Sequence, residues 1–152
     1  MMRFIVALAI LLVLALVLGA IGCGGKSDEE EILELIDKQI AAINDLDLET
    51  FYETRIPNYR ARVTLEEYQA FAEPVWGQYS QMLSTKQLKV TNVTVRVEGD
   101  WAYMTGQVVL NGDVLQSYTS ASPDIWRKVG GKWYDVVENP LDPGYEPDDL
   151  PR

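Results

Sequence analysis

Apolar residues change their spacing along this chain, and each change marks a different kind of segment. Residues 4–18 are apolar without a break, behind the short basic start Met1-Met2-Arg3 and ahead of Gly19-Ala20-Ile21-Gly22. Farther on the spacing becomes three and four: Ile32, Leu35, Ile36, Ile40 and Ile43 fall on one side of a helix. Ser27 or Asp28 serves as its cap, and Glu29, Glu30 and Glu31 lie at the positive end of its dipole. The polar turn Asn44-Asp45-Leu46-Asp47 follows, and Asp47 is placed to cap a short second helix carrying Leu48, Phe51 and Tyr52 that Pro57 is expected to stop. A third helix opens at Thr64, with Glu67 at the spacing of a capping box, and runs through Tyr68, Phe71, Val75, Tyr79 and Met82. Pro74 is expected to kink or divide it.

From Leu88 the period is two. Val93, Val95 and Val97 alternate with Thr94, Arg96 and Glu98, and after the turn Gly99-Asp100 a second apolar face is supplied by Ala102, Met104, Gly106, Val108 and Leu110. Asn111-Gly112-Asp113 is a hairpin signal, residues 114–129 read as one long third strand, and Gly130-Gly131 turns into a fourth over 132–138. Three tight turns joining four strands predict an antiparallel meander with one face under the helices and the other exposed. The fold class is therefore α+β, N-terminal helices packed on a curved antiparallel sheet of four or more strands.

The first apolar run is a secretory signal rather than part of that fold. Its end, Ala20-Ile21-Gly22-Cys23, resembles a lipobox, in which a cysteine is acylated on sulfur and the peptide bond before it is cut. Cys23 is the only cysteine, so an intramolecular disulfide is impossible and lipidation would cap an otherwise exposed thiol. The alternative is an uncleaved anchor, since residues 4–22 are uncharged and close to the ~20 needed to span a bilayer. Both place the rest of the chain outside the cytoplasm. The expected organisation is a signal peptide at 1–22, the lipidated Cys23 and a tether at 23–27, one domain at 28–139, and an acidic, proline-rich tail at 140–152.

Charge narrows the function. All 23 acidic residues lie beyond Cys23 and one of the 13 basic residues, Arg3, goes with the signal, leaving twelve against 23 and a net charge of −11. Such a domain repels nucleic acid. Histidine is absent, which removes the usual general base, the histidine triads and the commonest zinc ligand. Glu29, Glu30 and Glu31 fan around a helix axis, so neither a metal nor a cofactor is expected.

Two stretches carry a resemblance to a known family: Ala41-Ala42-Ile43-Asn44-Asp45-Leu46-Asp47-Leu48-Glu49-Thr50-Phe51-Tyr52, and Trp126-Arg127-Lys128-Val129-Gly130-Gly131-Lys132-Trp133-Tyr134-Asp135-Val136-Val137. With helices first and a hairpin-linked sheet after, the chain resembles the NTF2-like superfamily, shared by nuclear transport factor 2, ketosteroid isomerase and SnoaL-like proteins. The resemblance implies a conical pocket between helices and sheet. Gln39, Tyr59, Tyr68, Trp76, Tyr79, Asp124 and Trp126 are the candidate ligand-binding residues; the alternative for the aromatics is plain core packing.

An isomerase-type site would need a helix tyrosine and a protonated aspartic acid around an oxyanion, plus an aspartate that moves the proton. Aligned on Ala41-Ala42-Ile43-Asn44, this chain has Gln39 at the tyrosine, Val63 at the base, and an acid only at Asp124. Asp124 follows Ser122-Pro123, which marks either a pocket carboxylate or a solvated bulge, and Asp135 is open in the same way. The expectation is a non-enzymatic, lipid-anchored domain that binds a small apolar ligand or a partner protein. Its exposed sheet face, with Arg96, Tyr103, Thr105, Gln107 and Tyr118, offers a surface for a homodimer or partner. The competing class is a SnoaL-like or isomerase-like enzyme working through Asp124.

Overall fold

The computed structural model describes residues 25–83 and 88–136, without the side chains of Gln78, Tyr79, Gln81, Met82 and Leu83. Cys23, the signal, the acidic tail and the Tyr79 side chain lie outside the described residues.

Helix α1, Asp28–Asp45, starts at Ser27 with a closed capping box: the Glu30 N–H donates to Ser27 Oγ at 3.2 Å, and the Ser27 N–H donates to Glu30 Oε2 at 2.9 Å. It buries Ile32, Ile36, Gln39 and Ala42, one face at helical spacing. Its end is a left-handed cap at Leu46, φ 58°, beyond which the Asp47 N–H reaches the Ala42 carbonyl at 2.8 Å. Just before that end Asn44 grips the first strand, exchanging two hydrogen bonds with the Leu88 backbone at 3.1 and 3.2 Å.

Asp47 caps α2, Leu48–Glu53, by accepting from the Thr50 N–H at 3.0 Å. Pro57 does not simply stop the chain's helical course as expected. It opens a further helix, α3, Pro57–Arg62, because proline's missing N–H and fixed φ suit the first helical position. Helix α4, Leu65–Leu83, begins at the Thr64–Glu67 capping box and passes through Pro74 undivided. Ala70 and Pro74 are both exposed, so water can satisfy the carbonyl that proline leaves without a donor.

Among the described residues five antiparallel strands follow: β1 Leu88–Glu98, β2 Trp101–Leu110, β3 Asp113–Tyr118, β4 Asp124–Val129 and β5 Lys132–Asp135. The expected long strand over 114–129 is in fact two. Residues Thr119 and Ser122 exchange backbone hydrogen bonds at 3.0 Å, turning the chain, and Pro123 has no N–H to offer a ladder. In consequence β2 pairs with β3 along Gly106–Leu110 and with β4 along Trp101–Met104, and the sheet runs β1-β2-β4-β5 with β3 beside the far half of β2.

Curvature comes from irregular pairing. The β1 register shifts between Thr91 and Thr94, where Asn92 has φ 55°, and the β2–β3 register shifts at Val108 and Val109. Gly106 lets the bulged strand come close, since a Cβ there would lie 3.2 Å from the Thr91 carbonyl oxygen. Among the described residues, helices packed on a curved antiparallel sheet of five strands make the α+β architecture that the change of apolar spacing predicts.

Among the described residues the two larger of three apolar clusters flank the sheet's inner surface, the third being Leu88 and Leu110 with Ile40, Ile43 and Val108. Ile32 and Ile36 of α1 pack on Ala102, Met104, Trp126 and Trp133, while Tyr52, Ile56, Tyr59, Val63, Tyr68, Ala72 and Val136 form a second cluster among α2, α3 and α4. Tyr118 belongs inside rather than on the outer face where the sequence put it: it sits opposite Gly106 and packs against the α1 core. The outer face keeps Arg96 stacked 4.9 Å from the Tyr103 ring, and Gln107 accepting from Asn92 at 3.2 Å. Among the described residues no helix is long and apolar enough to cross a membrane.

Candidate ligand-binding site

Between the C-terminal half of α1 and the concave side of the sheet lies a cavity of about 340 Å³. Its walls are apolar: Ile36, Ile40 and Ile43 from α1, Phe51 from α2, Val90, Met104 and Val108 from the sheet, and Val136 beyond it. Polar groups reach it from α1 (Gln39), the link after α2 (Arg55), β3 (Gln116 and Tyr118), β4 (Asp124) and β5 (Asp135). Apolar walls with a few convergent polar groups are the usual make-up of a small-molecule pocket.

The polar end is built on Asp135, which is 5% exposed. Residues 54–56 run beside β5: the Asp135 N–H donates to the Thr54 carbonyl and the Ile56 N–H to the Asp135 carbonyl, both at 3.0 Å. That pairing delivers Arg55 to the Asp135 carboxylate as an ion pair. Gln39 Nε2 donates to the same carboxylate oxygen, Oδ2, at 2.7 Å and to Thr54 Oγ1 at 2.9 Å. Thr54 Oγ1 in turn donates to the Phe51 carbonyl at 2.6 Å, and the guanidinium lies 4.4 Å from the centre of the Phe51 ring.

Burial pushes the Asp135 pKa up, against the opposing pull of Arg55 and the Gln39 hydrogen bond. For Arg55 burial acts against the charge, but Asp135, Tyr68 and Asp124 outweigh it and hold the pKa above its ordinary value. Tyr68 contributes its hydroxyl to Arg55 from the helical core, and burial raises the pKa of that hydroxyl. Asp124 accepts from Trp126 Nε1 at 2.9 Å, an indole that is itself fully buried.

The structure brings together only part of the sequence-derived set. Gln39 and Asp124 line the cavity, and Trp126 backs it through Asp124. Tyr59 and Tyr68 do not line it; they are 3% and 6% exposed and meet edge to face, centroids 6.5 Å apart, in the core between the helices. Trp76 packs edge-on against Phe51 at 5.3 Å, behind the wall. Val63, at the isomerase base position, is core, and its carbonyl accepts from the Tyr52 hydroxyl at 2.6 Å.

Arg55 was missed by the sequence reading. It lies in the three-residue link between α2 and α3, where no periodicity assigns a face, and its partner is 80 residues away. Asp135 had a signal in its strand parity with Trp133, and that parity is the buried one. Among the described residues no three His, Cys, Asp or Glu side chains gather as a metal site would require.

No family model matches the chain, and no curated protein matches it. Among solved structures it is similar to an NTF2-like protein of unknown function from Pseudomonas putida KT2440, with 18% identity over 73% of this chain and 84% of that one and a TM-score of 0.44. It is similar also to a protein of unknown function with a cystatin-like fold from Nostoc punctiforme PCC 73102, with 22% identity over 75% and 90% of the two chains and a TM-score of 0.41.

Proposed function

We propose that this chain is a non-enzymatic binding module, held outside the cytoplasm by lipid on Cys23, whose cavity receives a small, largely apolar molecule. The observation that carries the ligand reading is the cavity of about 340 Å³, walled by aliphatic side chains and Phe51 and closed at one end by a hydrogen-bonded polar cluster. Anchoring rests on the Ala20-Ile21-Gly22-Cys23 sequence and on the lone cysteine. The carboxylates of the cluster are already engaged, Asp135 by Arg55 and Gln39 and Asp124 by Trp126, which favours holding a molecule over moving its protons.

Native mass spectrometry of the full-length protein, purified from its own host, tests the reading. A small-molecule adduct that leaves on denaturation is the expected result; a ligand-free chain would shift the function to the sheet face and a protein partner. The mass of the N-terminal peptide from the same sample tests the anchor: acylated Cys23 at the mature terminus is expected, and an uncleaved residue 1 would replace the lipid with a helix.

A second reading is favoured by one specific placement. Asp124 lines the same cavity as Gln39 and Tyr118, as an isomerase-like enzyme would require. Incorporation of solvent deuterium beside a carbonyl of the bound molecule, abolished by Asp124→Asn, would establish that reading in place of the first.

A further inference from the structure

Charge is not spread evenly along this chain. Residues 55–63 and 125–134 hold six of its 13 basic side chains and none of its 23 acids, whereas residues 137–152 hold five acids against Arg152 alone. The fold brings the two basic stretches together. Helix α3 packs on the β4–β5 hairpin: Arg60 lies 5.6 Å from the centre of the Tyr134 ring, and Ile56 and Tyr59 belong to a cluster against which Ile125 and Tyr134 pack. Two of the six cations are turned elsewhere, Arg55 to Asp135 and Lys128 to Asp28. Arg60 and Arg62 stand in the last turn of α3, while Arg127 and Lys132 alternate with the buried Trp126 and Trp133 and so take the outer side of the hairpin.

Between α3 and β4 runs a groove of about 250 Å³ lined by Ile56, Pro57, Asn58, Arg127 and Val129. Val129 is 38% exposed, an apolar side chain open to water beside those cations. The Arg127 guanidinium lies 4.8 Å from the centre of the Trp101 ring, and an arginine's fork of five N–H donors can serve a ring and carboxylates together. Glu31, Glu34 and Glu53, which share a neighbouring hollow with Arg60 and Lys132, come from α1 and α2, and Lys26 and Lys38 pair with two of them.

The acidic segment begins close by. Val136 donates its N–H to the Ile125 carbonyl at 2.9 Å, and Val129 lies four residues along β4 from Ile125, about 13 Å. Five residues of extended, proline-rich chain cover about 15 Å, so Leu141 and the residues after it reach the groove. Prolines at 140, 143, 147 and 151 restrict the backbone beforehand, which lowers the entropy lost on settling. A tethered segment also meets its site at an effective concentration on the order of millimolar, so a contact too weak to hold a free peptide suffices.

We infer that residues 137–152 turn back over α3 and the outer side of β4, with an apolar side chain such as Leu141 or Tyr145 in the groove and the acids on Arg60, Arg62, Arg127 and Lys132. Covalent continuity favours the chain's own segment over that of a second copy. Once docked, the segment masks the basic side of an otherwise acidic domain, and a protein partner for that side has to displace it.

Photo-crosslinking of the full-length protein in lipid nanodiscs, with p-benzoylphenylalanine replacing Tyr145, tests this. Crosslinks are expected within one chain, to peptides from residues 55–63 and 125–134. Reversing four charges together, Asp142→Lys, Glu146→Lys, Asp148→Lys and Asp149→Lys, is expected to lower their yield at least fivefold, and about 1 M salt to act in the same direction. Adding Arg60→Glu, Arg62→Glu and Lys132→Glu to the reversed segment is expected to restore at least half of the yield. Crosslinks to other surfaces, crosslinks to a second copy at twice the mass, or no crosslinks at all overturn the inference, as does a yield indifferent to the segment's charges. The four-residue reversal and the salt comparison decide the matter even where the doubly altered protein fails to fold.

Discussion

Arg55 and Asp135 are 80 residues apart in sequence and meet as a buried ion pair at the floor of the cavity, each brought there by backbone hydrogen bonds between residues 54–56 and β5. Removing Asp135 leaves the buried Arg55 without its direct partner, with only the Asp124 charge and the Tyr68 hydroxyl beside it, which is costlier than removing both members. Asp135→Ala is therefore expected to lower unfolding free energy by about 3–5 kcal/mol, read from urea unfolding followed by tryptophan fluorescence. The double change Arg55→Met with Asp135→Leu is expected to cost much less than either single change. Equal losses for single and double variants would show that the pair contributes nothing beyond packing.

Gln39 links α1 to both ends of that floor through a single nitrogen. Replacing it with leucine keeps the bulk and deletes the donor, leaving Thr54 and Asp135 each short of a partner. A loss of about 1–3 kcal/mol is expected, the cost of an unmet buried polar group. An unchanged urea midpoint would mean that water replaces the amide.

Asp28 offers a test in pH. Lying at the first turn of α1, it accepts from Lys128 Nζ at 2.5 Å and from Trp133 Nε1 at 2.9 Å, tying the helix start to the β4–β5 hairpin. The hydrogen bond from Lys128, then that from Trp133, holds its pKa below the ordinary 3.8. The unfolded chain thus binds this proton more readily than the folded one. The Asp28 contribution is complete above the ordinary carboxylate value and is lost as pH falls through the depressed one. Asp28→Asn should lower stability at neutral pH, and the gap to the unaltered protein should close as pH drops below about 4. A gap constant with pH would show that the charge of Asp28 is immaterial.

Leu46 closes α1 with φ 58°, a conformation that glycine adopts without strain, and the residue is 42% exposed. Leu46→Gly is expected to raise stability by about 0.5–1 kcal/mol, since relief of the left-handed backbone exceeds the little packing lost. Thermal unfolding of the two proteins measures it, and a lower midpoint for the glycine variant would show that Leu46 packs more than its exposure implies.

What could be read from the sequence was whatever depends on neighbours in the chain. Ser27 with Glu30, Asp47 and Thr64 with Glu67 all cap as their spacing requires, because a cap is settled within four residues. The turns at Asn111-Gly112 and Gly130-Gly131 take the positive φ values that their residues favour. Pro123 signalled an interruption of the third strand, legible as a bulge rather than as a division because apolar residues stand on both sides of it. Gln39 and Asp124 were legible in the candidate site only through the family resemblance. Arg55 was not legible at all, since its place depends on a parallel bridge to a strand 80 residues later.

Because β2 gives its first half to β4 and its second half to β3, the two sides of the cavity are hydrogen-bonded as separate units. The β3 arm, which contributes Gln116 and Tyr118, carries Val114 and Leu115 half in solvent, while the β4–β5 side is locked by Trp126, Trp133 and the Arg55–Asp135 pair. Segments with few buried contacts open first. Fraying of β3 would then open one wall of the cavity while the β4–β5 wall stays in place, so that the same stretch of chain would set both how fast a molecule could enter and how fast it could leave.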